Sequence, residues 1–452
     1  MRLMSVGVSG LLLFLAPASW SGRSLDDLKA AASDSGSAGV EPREFRPSAE
    51  LSSSAAGQAL AAAKSRSSGL VMLQGFHWES HMTKPWWGVI SAKAGEIASA
   101  GFDLVWFPPS SAAMSDEGYL PNRLYVQDSA YGTQAQLKAA VSALRSRGIA
   151  SVADVVINHR VGTRDWADFT DPQWGPDAVC SDDEWAGARG SRDTGKGYHA
   201  GRDIDHTKPY VQESVKEWMS WLRSEIGYDG WRFDYVRGVS PRYFQAYTEA
   251  TSPSFAVGEI WDDLDVNNAD RHRQALADWL DSVNGRINVF DFTTKGVLQH
   301  AVGSREYWRL RDRQAKPPGL IGWWPAKAVT FVDNHDTGAS TGGGGGQNHW
   351  PFPGDKVMQG YAYILTHPGV PCVYWPHYFD WGLRDQLKAL IHVRKSAGIR
   401  AESAVSIAAA DNGRYAAVID GKVAVKIGPD DWSPGPGWTL AAAGKDYAVW
   451  TK

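Results

Sequence analysis

The chain has 452 residues, 43% of them hydrophobic and 21% charged, with a formal net charge of −4. That length supports a large core with a smaller second unit, and the mild charge without a basic block excludes a nucleic-acid-binding surface as the main function. Only two cysteines occur, Cys180 and Cys372, which excludes a disulfide-built fold and reads as two buried free thiols.

Residues 1–18 read as a secretory signal peptide. Arg2 precedes the apolar stretch Gly10–Leu15, and Ala16-Pro-Ala18 has the small-x-small pattern of a cleavage site. The stretch is too short to span a bilayer. Residues 19–68 are rich in Ala, Ser and Gly and hold too little apolar surface to fold alone. They read as a linker, a propeptide or a second targeting segment. Secretion is the expected destination, and plastid import through a bipartite presequence is the alternative. The acidic residues Asp26, Asp27, Glu41 and Glu44 argue against an ordinary transit peptide.

From Leu70 a strand-then-helix rhythm repeats. Strands are expected at Leu70–Leu73, Asp103–Phe107, Ser151–Ile157, Gly230–Phe233, Ala256–Gly258, Ile287–Phe290, Ala328–Val332 and Val370–Tyr374. They are short and apolar, as strands covered on both faces should be. Between them, Gln134–Arg147 places Leu137, Ala140, Val141 and Leu144 on one helical face, with Gly148 as a stop. Tyr210–Ile226 behaves likewise and stops at Gly227. Further helices are expected at Trp86–Ala100, Pro241–Ala250, Asp270–Val283, Thr294–Ala301, Asp355–Thr366 and Arg384–Ala397. Eight strands alternating with eight helices predict a (β/α)8 TIM barrel over residues 69–398. One connection, Asn158 to Pro209, is too long for a plain loop. It predicts an irregular subdomain at about 159–208, over the barrel mouth.

After Gly398 the pattern changes to short runs at Ala404–Ala409, Tyr415–Asp420, Lys422–Ile427, Gly437–Leu440 and Tyr447–Lys452. Asp420-Gly421 between two of them is a hairpin signal. Residues 399–452 are expected to form an antiparallel β domain.

Four segments put ionisable residues where apolar runs stop: Asp154-Val-Val-Ile-Asn158-His159, Gly230-Trp-Arg232-Phe-Asp234, Ala256-Val-Gly-Glu259 and Thr330-Phe-Val-Asp333-Asn-His335-Asp336. In a parallel barrel these positions face the mouth, where catalytic residues sit. Asp234 and Glu259 end adjacent strands about 4.8 Å apart. Two carboxyls so placed can reach the ~5–5.5 Å separation of a retaining glycosidase pair. Arg232 shares a strand face with Asp234 and would favour its ionised form.

These segments resemble the four sequence regions of the α-amylase family (glycoside hydrolase family 13). The resemblance runs from about Leu70 to Lys452 and is nearest to the plant-type members. It includes Gln74-Gly-Phe-His-Trp78-Glu, Glu117-Gly-Tyr119-Leu-Pro, Trp323-Trp324-Pro-Ala-Lys-Ala, Trp350-Pro-Phe-Pro and Asp446-Tyr-Ala-Val-Trp. The resemblance implies retaining endo-hydrolysis of internal α-1,4-glucosidic bonds in starch-like polymers. It implies Asp234 as nucleophile, Glu259 as general acid/base and Asp336 as transition-state stabiliser. It places Arg232, His159, His335, Tyr119 and Trp78 around the sugar, and Trp323 and Trp324 at a surface starch site. For that indole pair, packing beneath the sixth strand's loop is the competing reading. Tyr415 matches a second sugar-holding residue.

The resemblance also implies Ca2+ where the long third connection meets the barrel. The matching side chains are Asn158, Asp193 and Asp203, and the matching carbonyls are those of Lys196 and Gly238. Plant-type members hold more calcium in this connection, but here it is shorter. Gly197 stands where a ligand Asp is expected, although Asp183 remains, so one ion is the expectation. A run Gly342–Gly346 lengthens the loop after Asp336; it either alters the subsites or is a neutral insertion. The expected partner is an α-1,4-glucan, with no nucleic acid, no membrane and no cue for oligomerisation beyond a monomer. The rivals are a transglycosylase or maltooligosaccharide-forming variant of the same family, and a non-catalytic starch-binding protein.

Overall fold

A computed structural model of the chain describes residues 69–164, 166–342 and 344–452. The expected signal peptide and the segment 19–68 lie outside the described residues. Eight parallel strands close into a barrel: β1 (Met72–Gln74), β2 (Leu104–Trp106), β3 (Ala150–Val155), β4 (Gly230–Phe233), β5 (Phe255–Gly258), β6 (Asn288–Phe290), β7 (Ala328–Phe331) and β8 (Val370–Tyr374). Each pairs with its sequence neighbours, and β8 closes on β1. Most strand residues are fully buried, because helices cover the outside and side chains fill the inside.

The outer ring is α1 (Trp86–Ala100), α2 (Gln134–Arg145), α3 (Pro209–Trp221), α4 (Pro241–Thr251), α5 (Ala269–Ser282), α6 (Phe292–Ser304), α7 (Val357–Thr366) and α8 (Arg384–Ala397). Local chemistry sets several boundaries. Thr133 and Gln136 form a reciprocal capping box at the start of α2. After α3 the chain continues through one wide turn, Leu222–Ile226, and stops at Gly227, whose φ of 98° is left-handed. Helix α6 is longer than its polarity pattern suggested. It is buried nearly all round, so a one-sided apolar stripe is not needed.

The third connection contains a two-stranded ladder, His159–Arg160 against Arg202–Asp203. A small apolar cluster of Leu120, Val161 and Trp166 lies apart from the main core.

Five antiparallel strands follow the barrel: β9 (Val405–Ala410), β10 (Tyr415–Ile419), β11 (Val423–Ile427), β12 (Thr439–Gly444) and β13 (Tyr447–Thr451), in spatial order β9-β10-β11-β13-β12. Asp420 and Gly421 both take positive φ, 51° and 67°, as a tight hairpin between β10 and β11 requires. The fourth strand lies later than the expected Gly437–Leu440. Gly437 has φ 83° and belongs to the preceding turn, and the alanine run instead pairs along β13 as an exposed edge. Both cysteines are free and buried. No helix among the described residues is long and apolar enough to cross a membrane.

The second sheet packs on α7 and α8, and this corrects the expectation for Tyr415. Its side chain is fully buried at that junction and cannot hold a sugar. Its hydroxyl donates to His367 Nε2 at 2.8 Å, while His367 Nδ1 donates to the Tyr363 carbonyl at 2.9 Å. The expectation rested on a matching position alone, which does not say which face of β10 meets the barrel. Nearby, buried Arg394 of α8 donates to the Leu365, His367 and Gly369 carbonyls and so caps the end of α7. Tyr415→Phe strands the His367 acceptor in the core. It is expected to cost about 1–3 kcal/mol in urea unfolding, and an unchanged midpoint would contradict the buried bond.

Candidate active site

The site forms at the carboxyl ends of β3, β4, β5 and β7. Asp234 and Glu259 are each one residue past a strand. Their amides donate to the Val155 and Phe233 carbonyls, both at 3.1 Å, so both residues extend the ladder and are held as firmly as the sheet. Tyr235 then turns the chain sharply with a left-handed φ of 44°. Its amide faces Glu259 Oε2 at 3.4 Å and its hydroxyl donates to the Gly197 carbonyl at 3.0 Å.

Arg232 ties the carboxyls together. It is fully buried, and its guanidinium lies over the Trp106 ring at 4.9 Å. Nη1 donates to Asp154 Oδ1 at 2.8 Å and to Asp234 Oδ1 at 2.7 Å, and Nη2 lies 2.9 Å from Glu259 Oε1. Sequence reasoning named Asp154 only as the start of a segment. In the structure it accepts from Arg232, from Trp106 Nε1 at 3.1 Å and from the Tyr119 hydroxyl at 2.9 Å. The signal was available in the register, because β3 and β4 place Asp154 opposite Arg232.

The acids are buried except at their tips: the side chains of Asp234, Glu259 and Asp336 are 12, 10 and 16% exposed. Burial pushes the Asp234 carboxyl up, against the pull of Arg232. Arg232 thus favours the ionised form as expected, but burial outweighs it. Burial and then the charge of Asp234 raise Glu259, with Arg232 opposing. Burial raises Asp336 well above the carboxylate range, and Glu259 and Asp234 add to it. Asp154 is pushed up to about 7 by burial. One guanidinium is paired with three carboxyls, and a fourth, Asp336, lies within their influence in a largely buried site, so retention of at least one proton near neutral pH is favoured.

Three aromatic rings line the mouth nearly parallel. Tyr119 and His335 are 5.2 Å apart at 7°, and Trp78 lies 6.1 Å from each. Gln74 Nε2 donates to His335 Nδ1 at 2.9 Å, which leaves the imidazole proton on Nε2, facing Asp336 Oδ2 at 3.4 Å. Burial drives the His335 pKa well down. His159 is also neutral, pushed down to about 4 by burial; it bonds the Tyr119 carbonyl at 2.8 Å and stacks on Tyr198 at 4.0 Å. Tyr198 is thereby held beside His159 at the mouth, and no motif singled it out.

The loop after β7 is braced from below. Asp333 accepts from Thr337 Oγ1 at 3.1 Å and Phe352 N at 3.2 Å, with buried Lys295 of α6 at 3.5 Å. Lys295 also donates to the Trp350 carbonyl at 2.7 Å.

The expected calcium cradle can be tested on its polar atoms. Asn158 Oδ1 and Asp193 Oδ2 are both buried without a hydrogen-bond partner. A Cβ on Gly238 would come within 2.0 Å of Asn158 Oδ1, so Gly238 backbone lies directly against that oxygen. Burial, followed by neighbouring Asp193, Glu184 and Asp183, pushes Asp203 up to about 8. Orphaned oxygens and crowded acids are what a bound hard cation would relieve. These residues fit Ca2+. Among the described residues no three His, Cys, Asp or Glu side chains converge on a metal position. Lys196 is tied to the segment before Gly238, its amide donating to the Arg237 carbonyl at 2.9 Å. Asp183 is engaged elsewhere, by buried Arg202 at 3.2 Å and by the amides of Asp203 and Trp185.

The indole pair divides. Trp323 is 41% exposed, with Arg273 stacked on one ring face at 3.7 Å. Trp324 is half-buried against the core, its ring edge near Gly285.

A parallel barrel with carboxyls at its mouth and a β sheet behind it is the architecture of a glycoside-cleaving enzyme. Comparison with known proteins agrees. Residues 396–451 match the family described as alpha-amylase C-terminal beta-sheet domain. Probable alpha-amylase 2 of Arabidopsis thaliana is 43% identical over 398 residues, covering 84% of this chain and 94% of that protein. Alpha-amylase 3, chloroplastic, of the same plant is 43% identical over 395 residues, covering 84% of this chain and 44% of that longer protein. The crystal structure of an Anoxybacillus alpha-amylase shares the fold with a TM-score of 0.63 at 16% identity, covering 85% of this chain and 98% of its own. The chain belongs to the α-amylase family of glycoside hydrolases.

Asp154→Ala removes the acceptor of Trp106 Nε1 and of the Tyr119 hydroxyl and one of the three carboxyls on Arg232, which keeps Asp234 and Glu259. The expected loss is about 1–3 kcal/mol in chemical denaturation, and Asp154→Asn should recover part of it. Equal stability of both variants with the wild type would show that Asp154 is not the acceptor holding Arg232.

Proposed function

We propose that the protein hydrolyses internal α-1,4-glucosidic bonds of starch-like glucans with retention of configuration. The observation that carries this reading is the single guanidinium of Arg232 gripping both Asp234 and Glu259. Sharing one cation keeps the two carboxyls close, the condition for a retaining pair ~5–5.5 Å apart.

Asp234 is the nucleophile: a carboxylate oxygen attacks the anomeric carbon as the bond to the leaving oxygen breaks. Glu259 carries the retained proton and gives it to that oxygen. It then takes a proton from water, which attacks the same carbon and releases Asp234. The raised pKa of Glu259 suits the first step, and the proton it loses to the leaving chain lets it act as base in the second. Asp336 accepts from ring hydroxyls of a distorted sugar, and neutral His335 donates from Nε2. The parallel rings of Trp78 and Tyr119 supply a flat apolar surface for the sugar face.

Ca2+ would be held by Asn158, Asp193 and Asp203 with the Lys196 and Gly238 carbonyls, one ion per chain. Its contribution when bound is structural, fastening the third connection to the barrel so that the Tyr198 and Tyr235 side of the cleft keeps its shape. Trp323 is a surface contact for granular starch through its free ring face. The protein acts as a monomer and reaches its glucan in the secretory route or a plastid; the chloroplastic relative favours the plastid.

The direct test is reducing-end release from soluble starch. Asp234→Asn and Glu259→Gln are each expected to lose at least about 100-fold in kcat. Glu259→Gln should retain far more activity on α-maltosyl fluoride, whose leaving group needs no proton. Wild-type kcat should fall as pH rises through the Glu259 pKa, because the acid form is then lost. Full starch hydrolysis by Asp234→Asn, or an inverted product by NMR, would overturn the mechanism.

Calcium titration is expected to saturate at one tight ion, and mild chelation to lower Tm and activity together. Three tight ions, or a chelator-treated protein with unchanged Tm, would refute the single-ion cradle.

A further inference from the structure

The loop after β7 holds the glycine run, and its described residues are clasped. Thr341 and Gly344 exchange backbone hydrogen bonds of 2.9 and 3.1 Å. The Ser340 hydroxyl and the Gly346 amide both donate to the carboxylate of Glu79, in the segment after β1. His77 Nδ1 lies 3.3 Å from the same carboxylate. Burial alone would raise Glu79, but these bonds outweigh it and hold its pKa down at about 2. The clasp therefore joins the first strand's loop to the seventh's, across the end of β8. Gly346 has φ 68°, and a Cβ there would lie 2.9 Å from both the Gly338 carbonyl and Ser340 Oγ, so only glycine allows this approach.

The residue after this glycine reaches the site. Gln347 Nε2 donates to Asp336 Oδ1 at 2.6 Å. His349 N donates to the Asp336 carbonyl at 2.9 Å, and His349 Nε2 lies 2.8 Å from Gln347 Oε1. Asp336 is thus held on one oxygen by Gln347 and faced on the other by His335. An amide is a neutral donor: it fixes the carboxyl's rotation without supplying a proton or a balancing charge.

We propose that Gln347 is a positioning residue for Asp336, and that Glu79, by clasping the glycine loop, holds Gln347 in place. The proposal rests on the reading of Asp336 as a group that contacts the sugar. It makes the lengthened loop a working part of the mouth, not a neutral insertion.

The test uses the full chain and a defined maltooligosaccharide. Gln347→Ala is expected to lower kcat by about tenfold with KM within about twofold, the size of one charge-assisted hydrogen bond. Glu79→Ala should act in the same direction, and the double variant should be no slower than Gln347→Ala alone, because both act through one contact. Gln347→Glu gives the sharper readout. Protonated, the new acid can donate as the amide does. Ionised, it opposes Asp336, so kcat should match the wild type at low pH and fall earlier as pH rises. The other groups that act on Asp336, namely Glu259, Arg232, Asp234 and Asp154, are unchanged in this series.

A purely structural role predicts a lower Tm with unchanged kcat and pH profile in the folded fraction, and that result would overturn the proposal. Asp336→Asn separates the two readings. If it is inactive and Gln347→Ala is unaffected, the positioning proposal alone falls. If Asp336→Asn keeps full activity, the reading of Asp336 falls and takes the proposal with it.

Discussion

The mouth of the barrel is organised around one buried cation. Arg232 has no exposure to speak of, a tryptophan ring on one face and carboxyls on its donors. Removing it would leave Asp154, Asp234 and Glu259 as mutually repelling acids in a medium that screens little. Retaining it ionised is favoured for the same reason: its neighbours hold its pKa well above the usual guanidinium value despite burial. The arrangement fixes position and proton count together. Carboxyls that must differ in protonation share a single counter-ion, so the charge on one sets the charge the others can carry.

Around this centre, ordering comes from neutral or internally balanced groups. His159 and His335 are uncharged imidazoles with defined tautomers, and Gln74 and Gln347 are amides. The remaining buried cation near the loop after β7, Lys295, is paired with Asp333 below the mouth. Beyond Arg232, the further cation that acts on these acids is Arg237, which pulls on Glu259 and is itself paired with Asp262.

Much of this was legible in the chain. Parallel strands covered on both faces are nearly all apolar, so an Arg, Asp or Glu at a strand end stands out. That is why Arg232, Asp234, Glu259 and Asp336 could be singled out, and why the barrel could be counted from its rhythm. Asp154 was less visible because it lies inside a strand, and its partner appears only when β3 and β4 are set in register. Glu79 and Gln347 were invisible for another reason. Their contacts depend on loop conformation, and the clasp joins residues more than 260 positions apart. Tyr415 shows the limit of a role carried over by resemblance, since a matching position does not say whether the side chain reaches the surface, and here it is fully buried. For the glycine run composition left two readings open, and it could not show that Gly345 and Gly346 take positive φ in a tight approach.

The junction between barrel and second sheet bears on modularity. Tyr415 and His367 share a fully buried hydrogen bond, and Arg394 caps α7 from the neighbouring helix at the same place. A sheet attached by a linker can be cut away or traded between enzymes, but this one supplies atoms that the barrel's own interior lacks. The two units should therefore behave as one cooperative block, melting together. A foreign sheet without a hydroxyl at the position of Tyr415 would leave the His367 acceptor unpaired in the core and join the barrel less stably.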